Sequence, residues 1–190
     1  MNLVLLIEKI TRERIYLSEY YKSECFGINS ATLVDKAVAL DAIGGVYSND
    51  RPTAFICLLL KLLSLNPSRA IIMEYINQKD FKYATALGLM YLRLTGSSND
   101  IYSIIDVFYA DYRRLRLRDS SGYSLAFMDT FCDDLLTKER VFNIILPRLQ
   151  PREAPRVSVL QKELDTLHKI IKPATTVSKR KKRKLTFKNK

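Results

Sequence analysis

Apolar residues recur three and four positions apart along most of the chain, which is the spacing of an amphipathic α-helix. One such stripe consists of Ile101, Ile104, Ile105, Phe108, Tyr112 and Leu115. A second stripe consists of Phe131, Leu135, Phe142, Ile145 and Leu149. We therefore predict one helix from Asn99 or Asp100 through Leu115, and a second that Pro147 ends or kinks. Since no stretch alternates convincingly, the predicted fold is all-α, a compact bundle of roughly seven helices.

Two helices of this bundle have features that predict their surroundings. The stretch 54–65, AFICLLLKLLSL, is too short to cross a bilayer and contains Lys61, so we predict a helix that is buried on most sides. Gly88 lies inside the predicted helix 81–94, where glycine costs about 1 kcal/mol relative to alanine. We therefore expect another backbone to pass close to Gly88.

A different pattern begins after Pro155. Its apolar positions are spaced alternately three and four apart, as in a coiled-coil seam: Val157, Leu160, Leu164, Leu167 and Ile171. A helix this short is marginal alone in water, so it either docks on its own body or pairs with a partner helix. We predict a helical domain at residues 1–152, an amphipathic helical arm at 153–172 and a disordered basic tail at 173–190.

The charge of the chain is concentrated in that tail. Lys and Arg number 31 against 20 Asp and Glu, for a net charge of +11. The tail contains a run of six consecutive basic residues: Lys179, Arg180, Lys181, Lys182, Arg183 and Lys184. Self-repulsion keeps such a run unfolded. Nuclear import and contact with RNA phosphates both fit it, as does a solubilising tail, and the sequence does not separate these functions.

Residues suited to catalysis are scarce. The chain has one histidine, His168, and its three cysteines form no C-x-x-C pair. Its six glycines form no phosphate-binding loop and no nucleophile elbow. We therefore predict that the protein is not an enzyme and uses no metal or cofactor.

Arginine and tyrosine are the candidate partner-binding residues of the body. Four arginines fall at the end of the first predicted helix, where they would offset its dipole or contact a partner: Arg113, Arg114, Arg116 and Arg118. Tyr109 opens the one stretch that interleaves aromatic and basic residues, although it could equally line the edge of the core. Arg148 follows Pro147 and would either cap a neighbouring helix or bind a partner carboxylate.

Four long blocks of sequence together resemble the pre-mRNA-splicing factor 38 family. They are ECFGINSATLVDKAVALDAIGGVY (24–47), FKYATALGLMYLRLTG (81–96), FYADYRRLR (108–116) and FMDTFCDDLLTKERVFNIILPRLQ (127–150). The resemblance implies a non-enzymatic, all-helical nuclear protein of the U4/U6·U5 tri-snRNP that is needed for spliceosome activation. It also implies two protein partners, a long-helical protein and a zinc-finger protein.

The chain departs from the family pattern after the helical domain. Animal members carry long Arg-Ser-rich tails, whereas the residues after Lys172 form only a Lys-rich segment, so the chain resembles a compact member. The leading hypothesis is a spliceosomal scaffold that binds partner proteins through the body and the 157–171 seam. The alternative is an RNA-binding protein that acts mainly through the basic tail.

Overall fold

The computed structural model describes residues 2–152, and most of this part of the chain is helical. Single 3₁₀ or π turns occupy Leu3–Leu6, Tyr21–Cys25 and Asp106–Ala110. The α-helices of this part are α1 (Lys9–Leu17), α2 (Ser30–Val38), α3 (Ala54–Leu65), α4 (Arg69–Ile76), α5 (Lys82–Thr95), α6 (Ser98–Ile105) and α7 (Met128–Thr137). Within residues 2–152, none of these helices is both long and apolar enough to span a bilayer.

Two small sheets accompany the helices, so the prediction of an all-α bundle is confirmed only in part: residues 2–152 are mostly helical, but not strictly all-α. The strands are β1 (Ile43–Gly44), β2 (Arg114–Asp119), β3 (Gly122–Phe127), β4 (Arg140–Val141) and β5 (Ile144–Ile145). In the first sheet the order is β1-β2-β3, with β1 parallel to β2 and β2 antiparallel to β3. The second sheet is the β4–β5 hairpin. The protein is mostly helical with a minor sheet component.

The predicted helix through Leu115 is interrupted after α6. Only the first half of the stripe is α-helical, and a 3₁₀ turn leads into β2. In β2 the side chain of Leu115 is buried while its neighbours Arg114 and Arg116 are exposed. This is the period-two pattern of a strand with one buried face, and it overrides the helical spacing that Tyr112 and Leu115 continue.

The second predicted helix is likewise shorter than expected. The α7 helix ends at Thr137, well before Pro147, and the β4–β5 hairpin follows. Phe142 and Asn143 form its two-residue turn with φ angles of 51° and 63°, as a type I′ turn requires. The turn directs the Phe142 ring into the core, where its centroid lies 5.7 Å from that of Phe131.

The α3 and α5 helices form the centre of the core. Both predictions for them are confirmed: α3 is buried on most sides, and Gly88 of α5 lies against α4. A Cβ atom at Gly88 would lie 2.9 Å from the Ile76 Cγ1 atom and 3.0 Å from the Tyr75 Cβ atom. Glycine at this position therefore allows α4 and α5 to pack closely.

Thr53 connects the first sheet to the core. Its buried hydroxyl donates a 2.6 Å hydrogen bond to the Gly44 carbonyl and accepts one from the Ile56 amide, which caps the N-terminus of α3. Gly44 pairs with Arg118 of β2. The position of the β2–β3 hairpin on the body is thus fixed through β1 to the most buried helix.

Candidate protein-interaction surfaces

An apolar groove lies on the surface between α2, α4 and the start of α5. Its volume is about 180 Å³. The side chains of Val34, Val38, Ile71 and Phe81 are each 36–42% exposed, although all are large and apolar. With the more buried side chains of Tyr75 and Ala84, they line the groove. Contiguous exposed apolar side chains in a concave site are typical of a surface that binds another protein.

The hydroxyl group of Tyr75 lacks a hydrogen-bond partner at this groove. The Tyr75 side chain is only 4% exposed, and its hydroxyl oxygen is buried without a partner among residues 2–152. Burial, with a smaller contribution from the Asp35 carboxylate, raises the pKa of Tyr75 to about 12. A buried polar group without a partner costs about 1–3 kcal/mol.

Acidic residues lie beside the groove. Glu74 lines it, and Asp35 is exposed on α2 between Val34 and Val38. The groove therefore combines an apolar floor with negative charge at its edge. Such a surface is complementary to an amphipathic segment that has basic residues beside its apolar face.

A second exposed surface, which we call the arginine face, lies on the β2–β3 hairpin. The register pairs Arg114 with Phe127, Arg116 with Leu125 and Arg118 with Tyr123, so all six side chains point to the same side of the sheet. Leu125 and Tyr123 are 63% and 55% exposed. The structure thus brings Arg114 and Arg116 together on a strand, and the prediction that they end a helix and offset its dipole is wrong.

Arg118 is held in place by two tyrosine rings on this face. Its guanidinium carbon lies 4.6 Å from the ring centroid of Tyr123 and 5.0 Å from that of Tyr47. Arg116 lies 5.5 Å from the Tyr123 ring and 3.9 Å from the Asp41 carboxylate, which is itself 70% exposed. The Arg116 side chain is itself 63% exposed, so its guanidinium is accessible, and a pair as exposed as this contributes little to stability.

Arg113 does not share the exposed position of its neighbours. Its guanidinium makes a 2.7 Å ion pair with Asp111 and donates hydrogen bonds to the carbonyl oxygens of Gln78 and Lys79. The Arg113 side chain also holds the pKa of Asp111 below its usual value, through hydrogen bonds and charge that outweigh the opposing effect of burial. Arg113 therefore connects the start of the hairpin to the loop between α4 and α5.

The other two predicted partner residues of the body are exposed but lie apart from the arginine face along the chain. Tyr109 lies in the 3₁₀ turn, and its hydroxyl donates a 3.1 Å hydrogen bond to Asp133 of α7. Arg148 is exposed after β5, with no side-chain hydrogen bond or ion pair to any residue between 2 and 152. Their role in partner binding stays a prediction.

Two groups of predicted site residues lie outside the described residues. These are the seam of Val157, Leu160, Leu164, Leu167 and Ile171, and the basic run of Lys179, Arg180, Lys181, Lys182, Arg183 and Lys184. Both remain predictions of the sequence.

The sequence did not predict the groove, nor the β3 residues of the arginine face. The alternation of Arg and Leu from Arg114 to Arg118, followed by Gly122, was the available signal for a hairpin. The groove had no such signal, because Val34 and Ile71 continue helical apolar stripes whose outer members the sequence does not distinguish from core residues.

Groups suited to metal binding do not cluster in this part of the chain. Across residues 2–152, no three His, Cys, Asp or Glu side chains are arranged to hold a metal ion. Cys25, Cys57 and Cys132 are buried, and burial raises the pKa of the Cys132 thiol to about 12. A buried thiol with a raised pKa is a poor nucleophile.

Comparison with known proteins identifies relatives across most of the chain. The sequence profile of the PRP38 family matches residues 1–156. The chain is 48% identical to human pre-mRNA-splicing factor 38A, over 84% of this chain and 54% of the human protein. It is 46% identical to Drosophila melanogaster pre-mRNA-splicing factor 38, over 84% of this chain and 52% of the fly protein. The chain thus spans about half the length of these curated relatives.

A solved structure has a similar fold. It is a chain in the crystal structure of the Snu23–Prp38–MFAP1(217–258) complex of Chaetomium thermophilum. The similarity has a TM-score of 0.75 at 36% sequence identity, and it covers 88% of this chain and 96% of that chain. A protein of this fold has therefore been crystallised together with two others.

Proposed function

The chain belongs to the PRP38 family, and on this basis we propose that it is a non-enzymatic scaffold that binds partner proteins in the spliceosome. Its relatives are named as pre-mRNA-splicing factors, and the solved protein of similar fold was crystallised with Snu23 and MFAP1(217–258). The corresponding partners of this chain are the counterparts of Snu23 and MFAP1. Binding and positioning these proteins is its proposed contribution to splicing.

The exposed apolar groove is the observation that carries this proposal. Four large apolar side chains remain partly exposed there, although the protein has a large buried core in which most of its other large apolar side chains pack. Binding a partner would remove their surface from water at about 25 cal/mol for each Å² buried.

The proposed occupant is an amphipathic helical segment of the MFAP1 counterpart. The MFAP1 component of the related complex comprises residues 217–258, which makes it a segment. A helix offers apolar residues at i, i+3 and i+4 to a groove formed by helices, and basic residues beside them would face Asp35 and Glu74. The long-helical partner expected from the family resemblance fits this geometry.

Isothermal titration calorimetry on purified full-length chains tests this assignment. We expect Val38→Asp combined with Ile71→Asp to weaken binding of the MFAP1 counterpart by about a hundredfold or more, because each substitution places a charge in the buried centre of the interface. The matched control is Val107→Asp, since Val107 is 71% exposed on the 3₁₀ turn outside the groove. Thermal unfolding of all three chains verifies that they are folded.

Two results would overturn the proposal at different levels. If the wild-type chain binds neither counterpart, the scaffold function is wrong. If it binds both counterparts and the groove variant binds them as tightly as the control does, the scaffold function stands and the groove is not the binding site.

We further propose that the protein acts in the nucleus, as a component of the U4/U6·U5 tri-snRNP during spliceosome activation. Membership of a splicing-factor family supports this proposal, because pre-mRNA splicing is nuclear. A tagged chain should accumulate in nuclei and sediment with the tri-snRNP. A chain that sediments only as free protein, apart from the tri-snRNP, would contradict its assignment to the tri-snRNP.

The basic run at residues 179–184 supports a second candidate function. Six consecutive positive charges favour binding to RNA phosphates or to the nuclear import machinery. Substituting glutamine for all six residues separates the two roles. Loss of nuclear accumulation indicates import, while loss of RNA binding by the purified chain indicates direct contact with RNA.

A further inference from the structure

We propose that the arginine face of the β2–β3 hairpin binds single-stranded RNA. No residue of this face lines the groove or belongs to the basic run at residues 179–184, so the inference is independent of the proposed scaffold function. Arg114, Arg116 and Arg118 supply positive charge along one strand, and the paired residues of β3 supply exposed aromatic and apolar surface beside them.

The positive charges of the face are incompletely neutralised. Arg114 and Arg118 make no ion pair with any of residues 2–152, and Arg116 has one long, solvent-exposed ion pair, with Asp41 at 3.9 Å. Alternate residues of a strand are about 6.7 Å apart, so the three side chains form a row along the sheet. Such a row can contact successive phosphates of an extended nucleic-acid strand.

The face also provides flat surfaces on which bases can stack. The Arg118 guanidinium packs against the Tyr47 and Tyr123 rings, so its own plane is occupied and its role is to hold Tyr123 in place. Tyr123 and Phe127 are themselves exposed on β3. Aromatic rings and Arg guanidinium planes are the groups on which proteins stack unpaired RNA bases.

These features favour RNA over an acidic protein segment. An acidic helix would need a groove for its apolar residues, whereas this face is one side of a two-stranded hairpin paired along its length. A duplex fits poorly as well, because its bases are already stacked on one another and cannot use the rings. A single strand uses the charges and the rings together.

The test measures fluorescence anisotropy of a labelled uridine dodecamer with the full-length chain. All chains carry glutamine at residues 179–184, so that the basic run of the tail adds nothing. The hairpin variant combines Arg114→Gln with Arg116→Gln. The control variant combines Lys9→Gln with Arg14→Gln, which removes equal charge from two side chains of α1 that are 79% and 54% exposed.

We expect the hairpin variant to bind about tenfold more weakly than the control. The slope of log K against log salt should fall by about 1.4, since each phosphate contact with a single strand contributes about 0.7. A further variant, Tyr123→Leu, should weaken binding about tenfold and leave the salt slope unchanged, because it removes stacking and no charge.

Three outcomes would overturn the inference. The parent chain, with its tail neutralised, does not bind the dodecamer at micromolar concentration. Alternatively, the hairpin and control variants lose the same affinity, so that only net charge matters. Finally, a glutamate-rich peptide binds in a hairpin-dependent manner and the dodecamer does not, which assigns the face to an acidic protein.

Discussion

Two glycines with nearly the same backbone conformation allow the packing of the hairpin to be tested quantitatively. Gly44 in β1 has a φ angle of 144°, and Gly122 at the start of β3 has a φ angle of 140°. A residue with a Cβ atom is strained in this region, at a cost of about 1–3 kcal/mol. Gly44→Ala and Gly122→Ala should therefore share this backbone cost and differ only in their surroundings.

The surroundings of the two glycines differ sharply. A Cβ atom at Gly122 meets nothing within 4 Å, whereas one at Gly44 would lie 2.9 Å from the Arg118 carbonyl carbon and closer still to its oxygen. The β1–β2 pairing would have to shift, which costs about 1–3 kcal/mol as overpacking. The Thr53 hydroxyl would then lose its bond to the Gly44 carbonyl, at about 1 kcal/mol more.

We therefore predict that Gly44→Ala is at least about 2 kcal/mol more destabilising than Gly122→Ala. Urea unfolding and thermal melts, both followed by far-UV circular dichroism, measure the two variants. At about 2–4 °C per kcal/mol for a body of this size, the melting temperatures of the two variants should differ by about 4–8 °C or more. Equal destabilisation by the two substitutions would refute the argument that β1 is pressed against the Arg118 carbonyl.

Three further predictions follow from the contacts of single side chains. Arg113→Gln should lower the free energy of unfolding by about 2 kcal/mol, because it breaks a partly buried ion pair and two hydrogen bonds to carbonyl oxygens. Arg116→Gln should change the free energy of unfolding by less than about 0.5 kcal/mol. Urea titration of both variants tests this difference, and equal effects would contradict it. Thr53→Val should lower the free energy of unfolding by about 2–3 kcal/mol, because it removes the N-cap of α3 and the hydrogen bond to the Gly44 carbonyl. Thr53→Ser keeps the hydroxyl and should retain most of that stability. Equal melting temperatures for the two variants would argue against the hydrogen bond. Burial raises the pKa of Cys132 from 9.0 to about 12, so the thiol ionises at lower pH in the unfolded chain than in the folded one, and the free energy of unfolding should fall as the pH rises from about 9 to 12. The urea midpoint of Cys132→Ala should decline less steeply over this range than that of the wild-type chain. An equal decline in both chains would exclude the thiol as a cause.

The sequence predicted the central helices well because the local pattern of their residues and their tertiary packing agree. The apolar run of α3 is too dense for any exposed helix, and Gly88 inside α5 is explained only by a close neighbour. Both predictions are confirmed, since α3 is buried and Gly88 lies against Tyr75 and Ile76 of α4. Local pattern and tertiary packing agree at these positions.

The two sheets could not be predicted by helical periodicity, because short strands can continue the spacing of a preceding helix. Leu115 follows Phe108 at a helical interval but also alternates with the arginines of β2. Phe142 and Leu135 have the same spacing, yet Phe142 reaches the core from a hairpin turn. In both cases long-range packing selects the strand, and periodicity within one segment does not report it.

The two candidate surfaces depend on side chains from distant parts of the chain. Tyr47 reaches Arg118 across more than seventy residues of sequence, and the groove needs α2 beside α4. Neither proximity follows from a local motif. The sequence did indicate Arg114 and Arg116 as candidates, but it placed them on a helix and thereby assigned them the wrong neighbours.

The most direct test of the scaffold function is an affinity purification of the tagged full-length chain from cell extract, with identification of both proteins and RNAs. The account predicts that wild-type chain recovers the U4, U6 and U5 RNAs together with the counterparts of Snu23 and MFAP1. It also predicts that the chain carrying Val38→Asp and Ile71→Asp loses the MFAP1 counterpart, while Val107→Asp retains it. Recovery of neither counterpart and none of the three RNAs with the wild-type chain would contradict the central claim.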